Sequence, residues 1–210
     1  MKSLIALCFF ISLSQYSHAD SPLTSTNFYL AYDNTMIDKA LANNGLLNDE
    51  LSDFLQQKDQ KLEIKIAIVN ALGWKLAGKN NATFFLNDII KKRTYASETD
   101  FLSRGTKEEL IVYAYLMAMD NYHDVTPVLK ICKAADFKNS NSRCIRIING
   151  LIEAQSVLYE SYCSVYEIMA SANEKKGLDK DMHEEAIDNI FNYINIYKKY
   201  CESDDIKINN

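Results

Sequence analysis

The chain has 210 residues, a formal net charge of −5 and 48% hydrophobic residues, with six glycines and two prolines. That length can bury one sizeable core without help from a partner, and the scarcity of turn residues calls for long helices rather than sheet. The acidic balance, with no basic cluster longer than Lys91-Lys92-Arg93, speaks against nucleic acid and anionic lipid as partners.

Residues 1–19 read as a secretory signal peptide: Lys2, an apolar run from Leu4 to Leu13, polar Ser14 to His18, and a small residue, Ala19, as the expected cleavage point. The run is too short for a membrane anchor. Cys8 lies inside the run behind Leu7, which speaks against lipid attachment. Cleavage removes Lys2 and no acid, moving the charge from −5 to −6. The expected organisation is a signal peptide over 1–19, one all-helical domain over 20–201 and a disordered polar tail over 202–210.

Helix start signals then recur along the chain. Asn27 opens a predicted helix through Leu41 that Gly45 stops, and Asn48 opens a short one to Gln57. Asp59 opens a strongly apolar segment with Ile64, Ile66, Ile68, Trp74 and Leu76, ended by Gly78. An all-round apolar helix belongs in the middle of a fold. Asn80 or Asn81 is expected to cap the next helix, which runs to the basic triplet at its C-terminus, where cations meet the negative end of the dipole. Ser97 with Asp100 suggests a short helix, and Thr106 with Glu109 forms a capping box ahead of Leu110 to Met119. That ten-residue run is too short to span a membrane. Thr126-Pro127 starts a helix ending near Phe137. Ser142 opens what reads as the longest helix, to about Asn173, and a last helix runs from about Asp179 to Cys201. No segment alternates with period two. The expected fold is all-α: stacked antiparallel helical hairpins, as an irregular bundle or short α-solenoid of about seven to nine helices.

Four cysteines follow the signal segment, and an even number in an exported chain suggests two disulfides. A hairpin centred near residue 139 brings Cys132 within one turn of Cys144, so that pair is expected to bridge. Parity, and not register, then joins Cys163 to Cys201. Chemistry-bearing motifs are sparse. Asp120, His123 and Asp124 form a weak metal candidate with a single nitrogen, no G-x-S-x-G or glycine-rich phosphate loop occurs, and no cofactor is expected. Asn81-Ala82-Thr83 matches the glycosylation acceptor pattern.

Tyrosine is the one compositional excess. Tyr159, Tyr162 and Tyr166 share one helical stripe, and Tyr193, Tyr197 and Tyr200 share another. A hairpin centred near 177 sets Tyr162 level with Tyr193 and Tyr159 level with Tyr197. Such residues form either an aromatic seam between two helices or a face that binds a partner, with Tyr159, Tyr162, Tyr166, Tyr193 and Tyr197 as its residues. The functional expectation is an exported, non-catalytic helical protein that binds a macromolecular partner, a protein, in the periplasm; an immunity-type inhibitor of a toxic enzyme is one version. The alternative is a periplasmic enzyme or small-ligand carrier with its site between helices.

Overall fold

The computed structural model describes residues 21–93 and 95–204. The expected signal peptide lies outside these residues, as does the part of the expected tail beyond Asp204. The described chain is all-helical: α1 Thr35–Ala42, α2 Asp49–Gln56, α3 Leu62–Leu72, α4 Asn81–Arg93, α5 Glu98–Arg104, α6 Lys107–Asp120, α7 Thr126–Ala134, α8 Arg143–Val157, α9 Tyr162–Glu174, α10 Glu184–Ile194 and α11 Lys199–Asp204. Short 3-10 turns stand at Phe28–Ala31, Phe137–Asn139 and Asn195–Tyr197. No strand occurs among the described residues; one isolated bridge joins Ser142 and Asp179.

The centre is α6, buried on nearly every side from Glu109 to Met119. Its capping box forms as its sequence implies, with Thr106 accepting from the Glu109 amide and Glu109 returning a bond to the Thr106 amide. Helices α3, α4, α7 and α8 pack around it. α9 lies antiparallel on α8, and α10 reaches back to the N-terminal turn Phe28–Ala31, which also touches α3. Leu23 and Phe28 of the N-terminal segment are buried in the same core.

Three expected helices are broken, each for a local reason. The Asn27–Leu41 segment forms a 3-10 turn, then an extended Tyr32, and restarts at Asn34, whose side chain accepts from the Met36 amide at 2.9 Å. Buried Asn70 on α3 holds that first turn: its Oδ1 accepts from the Tyr29 amide at 3.0 Å, and its Nδ2 donates to the Thr26 carbonyl at 3.0 Å and the Tyr115 hydroxyl at 3.1 Å. The expected helix from Ser142 to Asn173 is a hairpin of α8 and α9. Ser161, in extended conformation, caps α9 by accepting from the Ser164 amide at 3.2 Å. Gly150 allows the two helices to pack closely, since a Cβ there would lie 3.0 Å from the Ala172 Cβ. The last expected helix begins at Glu184 and ends at Ile194; the chain then turns through Asn195–Tyr197 and enters α11, so Glu202 to Asp204, expected in the tail, close that helix.

The start of α4 is capped from elsewhere. Asn80 directly precedes α4 and its carbonyl accepts from the Phe84 amide at 3.0 Å, while Asp120, the last residue of α6, reaches across with its side chain and accepts from the Ala82 amide at 2.7 Å. Asn81 is buried and its amide is committed to the α1–α2 connection, accepting from the Leu47 amide at 2.9 Å and donating to the Gly45 carbonyl at 3.0 Å. The glycosylation pattern at Asn81 is therefore closed to a sugar in the folded protein. The apolar α3 ends at Leu72, where Gly73 adopts φ +66°, so Trp74 and Leu76 lie beyond the helix. Replacing Asp120 by Ala is expected to cost about 1–2 kcal/mol, measured by urea unfolding, whereas Asp120→Asn, which keeps an acceptor, is expected to lose less than half of that.

Candidate functional site

The tyrosines expected at the α9–α10 hairpin do gather, but one helical turn out of the expected register. The connection occupies 175–183, so the hairpin centre lies later in the chain and each α9 residue meets a partner further along. Tyr162 packs against Tyr197 (ring centroids 5.7 Å apart) and Tyr200 (4.9 Å), not against Tyr193. Tyr193 instead stands edge-on to Tyr197 at 5.7 Å, their hydroxyls 2.7 Å apart.

The aromatic cluster therefore has two halves. Tyr197 is 5% exposed and, with partly buried Tyr193, is the inner seam. Tyr159 is 81% exposed, Tyr162 46% and Tyr200 38%, forming the outer face. The turn between α8 and α9 presents Tyr159, and the Ser161 cap sets Tyr162 at the first position of α9. Together with Leu158, Ile196 and Lys199 these rings line a surface cleft of about 250 Å³. The Lys199 ammonium lies 5.0 Å from the Tyr200 ring centroid and that of Lys198 5.9 Å from Tyr166, both within cation–π range. Tyr166 stands partly buried beside the cleft and does not line it. Lys199 carries no signal in the sequence; Tyr200 shares the stripe of Tyr193 and Tyr197 but was not among the expected binding residues, and the turn at Asn195–Tyr197 is what brings it round.

A disulfide joins Cys163 on α9 to Cys201 on α11, with Cα atoms 4.7 Å apart. The bridged residues directly follow Tyr162 and Tyr200, so the covalent link holds those rings together. The expected Cys132–Cys144 bridge does not form, and both are buried free thiols. The reason is register. The 3-10 turn Phe137–Asn139, entered through left-handed Asp136, offsets α7 from α8, so Cys132 feels the charge of Glu153 while Cys144 feels that of Asp181. Glu153 is nine residues along α8 from Cys144, over two helical turns. Burial pushes the Cys132 thiol up to about 12 and the Cys144 thiol well above its ordinary value, which makes both poor nucleophiles and ligands.

The weak metal candidate disperses. Asp120 is buried and turned to α4, His123 lies against Tyr122 with ring centroids 4.0 Å apart, and exposed Asp124 accepts from the Thr126 amide at 3.0 Å. Among the described residues the only ligand-type cluster is Cys163, Glu167 and Cys201, whose sulfurs are spent on the disulfide.

One further titratable pair lies behind α4. Lys79 donates to the carbonyls of Gly45 (3.3 Å), Leu72 (3.1 Å) and Gly73, closing the C-terminus of α3. Gly45 is required there, with φ +76° and a hypothetical Cβ 2.6 Å from the Leu72 carbonyl oxygen. Burial draws the Lys79 ammonium down to about 8, against the opposing pull of Asp120, and burial raises the Asp120 carboxyl. These groups serve the structure, joining α3, α4 and α6.

The chain matches no protein-family model, no curated protein and no solved structure.

Two outcomes follow from this chemistry. Reduction of Cys163–Cys201, or its replacement by two alanines, is expected to remove about 4 kcal/mol by reopening a 38-residue loop in the unfolded chain, read calorimetrically as a fall of about 10 °C in Tm. Lys79 releases its proton earlier folded than unfolded, so its contribution grows as pH rises from about 8 towards 10.5. The raised thiols act oppositely above pH 9, because the unfolded chain ionises them first. The stability difference between wild type and Lys79→Arg should therefore shift towards the wild type between pH 8 and 10, measured by urea titration at each pH.

Proposed function

We propose that the protein is exported and recognises a protein partner in the cell envelope or periplasm through the outer tyrosine face. The observation that carries this reading is Tyr159, an aromatic side chain 81% exposed beside a cleft whose other rings are locked by a disulfide. An exposed large ring on a preordered surface contributes contact area at little entropic cost. Export is supported by the amino-terminal pattern of residues 1–19 and by the disulfide, which persists in oxidising compartments. The net charge of −5 suits an immunity-type inhibitor that meets a basic active-site cleft.

A second reading, a small-ligand carrier, is favoured by the groove of about 210 Å³ between α8 and α9, lined by Arg146, Asn149, Glu153 and Glu167. It is the weaker one. The Arg146 guanidinium already donates to the carbonyls of Ala172 (3.2 Å), Ser171 (2.9 Å) and Lys138, closing the C-terminus of α9 rather than awaiting an anion. No helix among the described residues is long and apolar enough to cross a membrane.

A photo-crosslinking residue at Tyr159, compared with one at Leu30, an apolar side chain 67% exposed elsewhere, tests the principal reading in the native envelope fraction. A discrete adduct at Tyr159 that Tyr162→Ser abolishes is expected. Equal labelling from both positions, or none, overturns it.

A further inference from the structure

We propose that the Cys163–Cys201 link is interchangeable with a metal clasp: once the disulfide is reduced, Cys163, Glu167 and Cys201 bind one thiophilic divalent cation of the zinc type, which then holds α11 to α9. This site stands apart from the protein-binding reading above and does not rest on it. Cys163 and Glu167 are four residues apart on α9 and so share one of its faces, and α11 brings Cys201 to that face. One ligand atom of each, two sulfurs and a carboxylate oxygen, lies within 4.8 Å of the other two.

That spacing suits a tetrahedral ion. Zinc bonds of about 2.3 Å to thiolate sulfur and about 2.0–2.2 Å to carboxylate oxygen set the ligand atoms about 3.5–3.8 Å from one another. The two sulfurs have to part and the carboxylate has to close in, movements on the scale of side-chain torsions. Access agrees with this. Glu167 is exposed and both cysteines are half-buried, so reductant and ion approach from solvent, whereas the free thiols Cys132 and Cys144 are buried. Among the described residues the Glu167 carboxylate has no hydrogen bond or salt bridge to give up.

The exchange balances. A dithiol reductant supplies two electrons and two protons: the S–S bond breaks, Cys163 and Cys201 become thiols, and the dithiol closes to its own disulfide. Binding the cation then releases both thiol protons to water and sets two thiolates and a carboxylate on one doubly charged ion. Two soft sulfur ligands select zinc-type ions over calcium or magnesium, which take oxygen. Since one sulfur comes from α9 and the other from α11, the ion joins the same two helices that the disulfide joins.

The test compares the purified protein in its disulfide form with the same protein reduced by dithiothreitol and desalted without oxygen, using Co²⁺ as an optical stand-in for zinc. The reduced protein is expected to show sulfur-to-cobalt charge-transfer and tetrahedral ligand-field absorption, saturating at a single ion per chain and displaced by zinc; the disulfide form shows neither. Cys163→Ser, which leaves Cys132 and Cys144 in place, is expected to abolish stoichiometric binding. Glu167→Gln, at an exposed position whose fold is safest, should weaken zinc by at least the about tenfold that losing an outer-shell partner costs. Zinc should also return part of the fall in Tm that reduction causes, and circular dichroism confirms that each variant folds. Cobalt bound equally by the disulfide form or by Cys163→Ser, no binding by the reduced protein, unchanged zinc affinity in Glu167→Gln, or an ion shared between two chains in sedimentation would each overturn the proposal.

Discussion

Helix α6 must be hidden from water on every side, and the arrangement of the rest follows from that. From Glu109 to Met119 its surface is apolar or internally paired, so no single partner helix can cover it. α3, α4, α7 and α8 do so together. A buried helix leaves its end groups away from solvent, and both ends are provided for: the Thr106–Glu109 box at the start, and at the finish the Asp120 carbonyl, which accepts from the Lys79 amide at 3.1 Å, while the Asp120 carboxylate serves α4. The same residue thus ends one helix and begins another. Position and capping are coupled, and α4 is set by where α6 stops.

Because that first layer is closed, the outer helices are available for other work. α9 rests on α8 through the gap that Gly150 leaves, and Arg146 ties its last carbonyls to the turn at Lys138. α11 then returns to α9 through the Cys163–Cys201 bond. The tyrosine cleft sits on this second layer, at the end of α9 opposite the Arg146 tie. Its inner rings are part of the packing and its outer rings are not, a division that one covalent link and one serine cap maintain. The buried titratable groups, Lys79, Asp120 and the two thiols, lie elsewhere and hold helices in place.

The class of fold was legible from composition and period alone: few glycines and prolines, apolar residues at helical spacing and recurrent Asn, Ser and Thr start signals. Asn48, Ser97, Thr106 and Ser142 cap helices where their start signals stood, a local interaction with residues three positions away, whereas Asn34 and Ser161 cap helices inside segments that read as continuous. The tyrosine stripes were legible for the same reason, since neighbours on one helix share a face whatever surrounds them.

What lay beyond the sequence is everything that depends on register between helices. The Cys132–Cys144 pairing failed because a 3-10 turn displaced α7 against α8, and the tyrosine contacts moved by one turn because the α9–α10 connection is longer than a tight hairpin. Asn70 holding the Thr26–Tyr29 turn and Asp120 capping α4 act between residues 38 or more positions apart. Periodicity carries local geometry, within a turn or two of helix. Which residues meet across helices is decided by how α6 is surrounded, and that is a property of the packed whole.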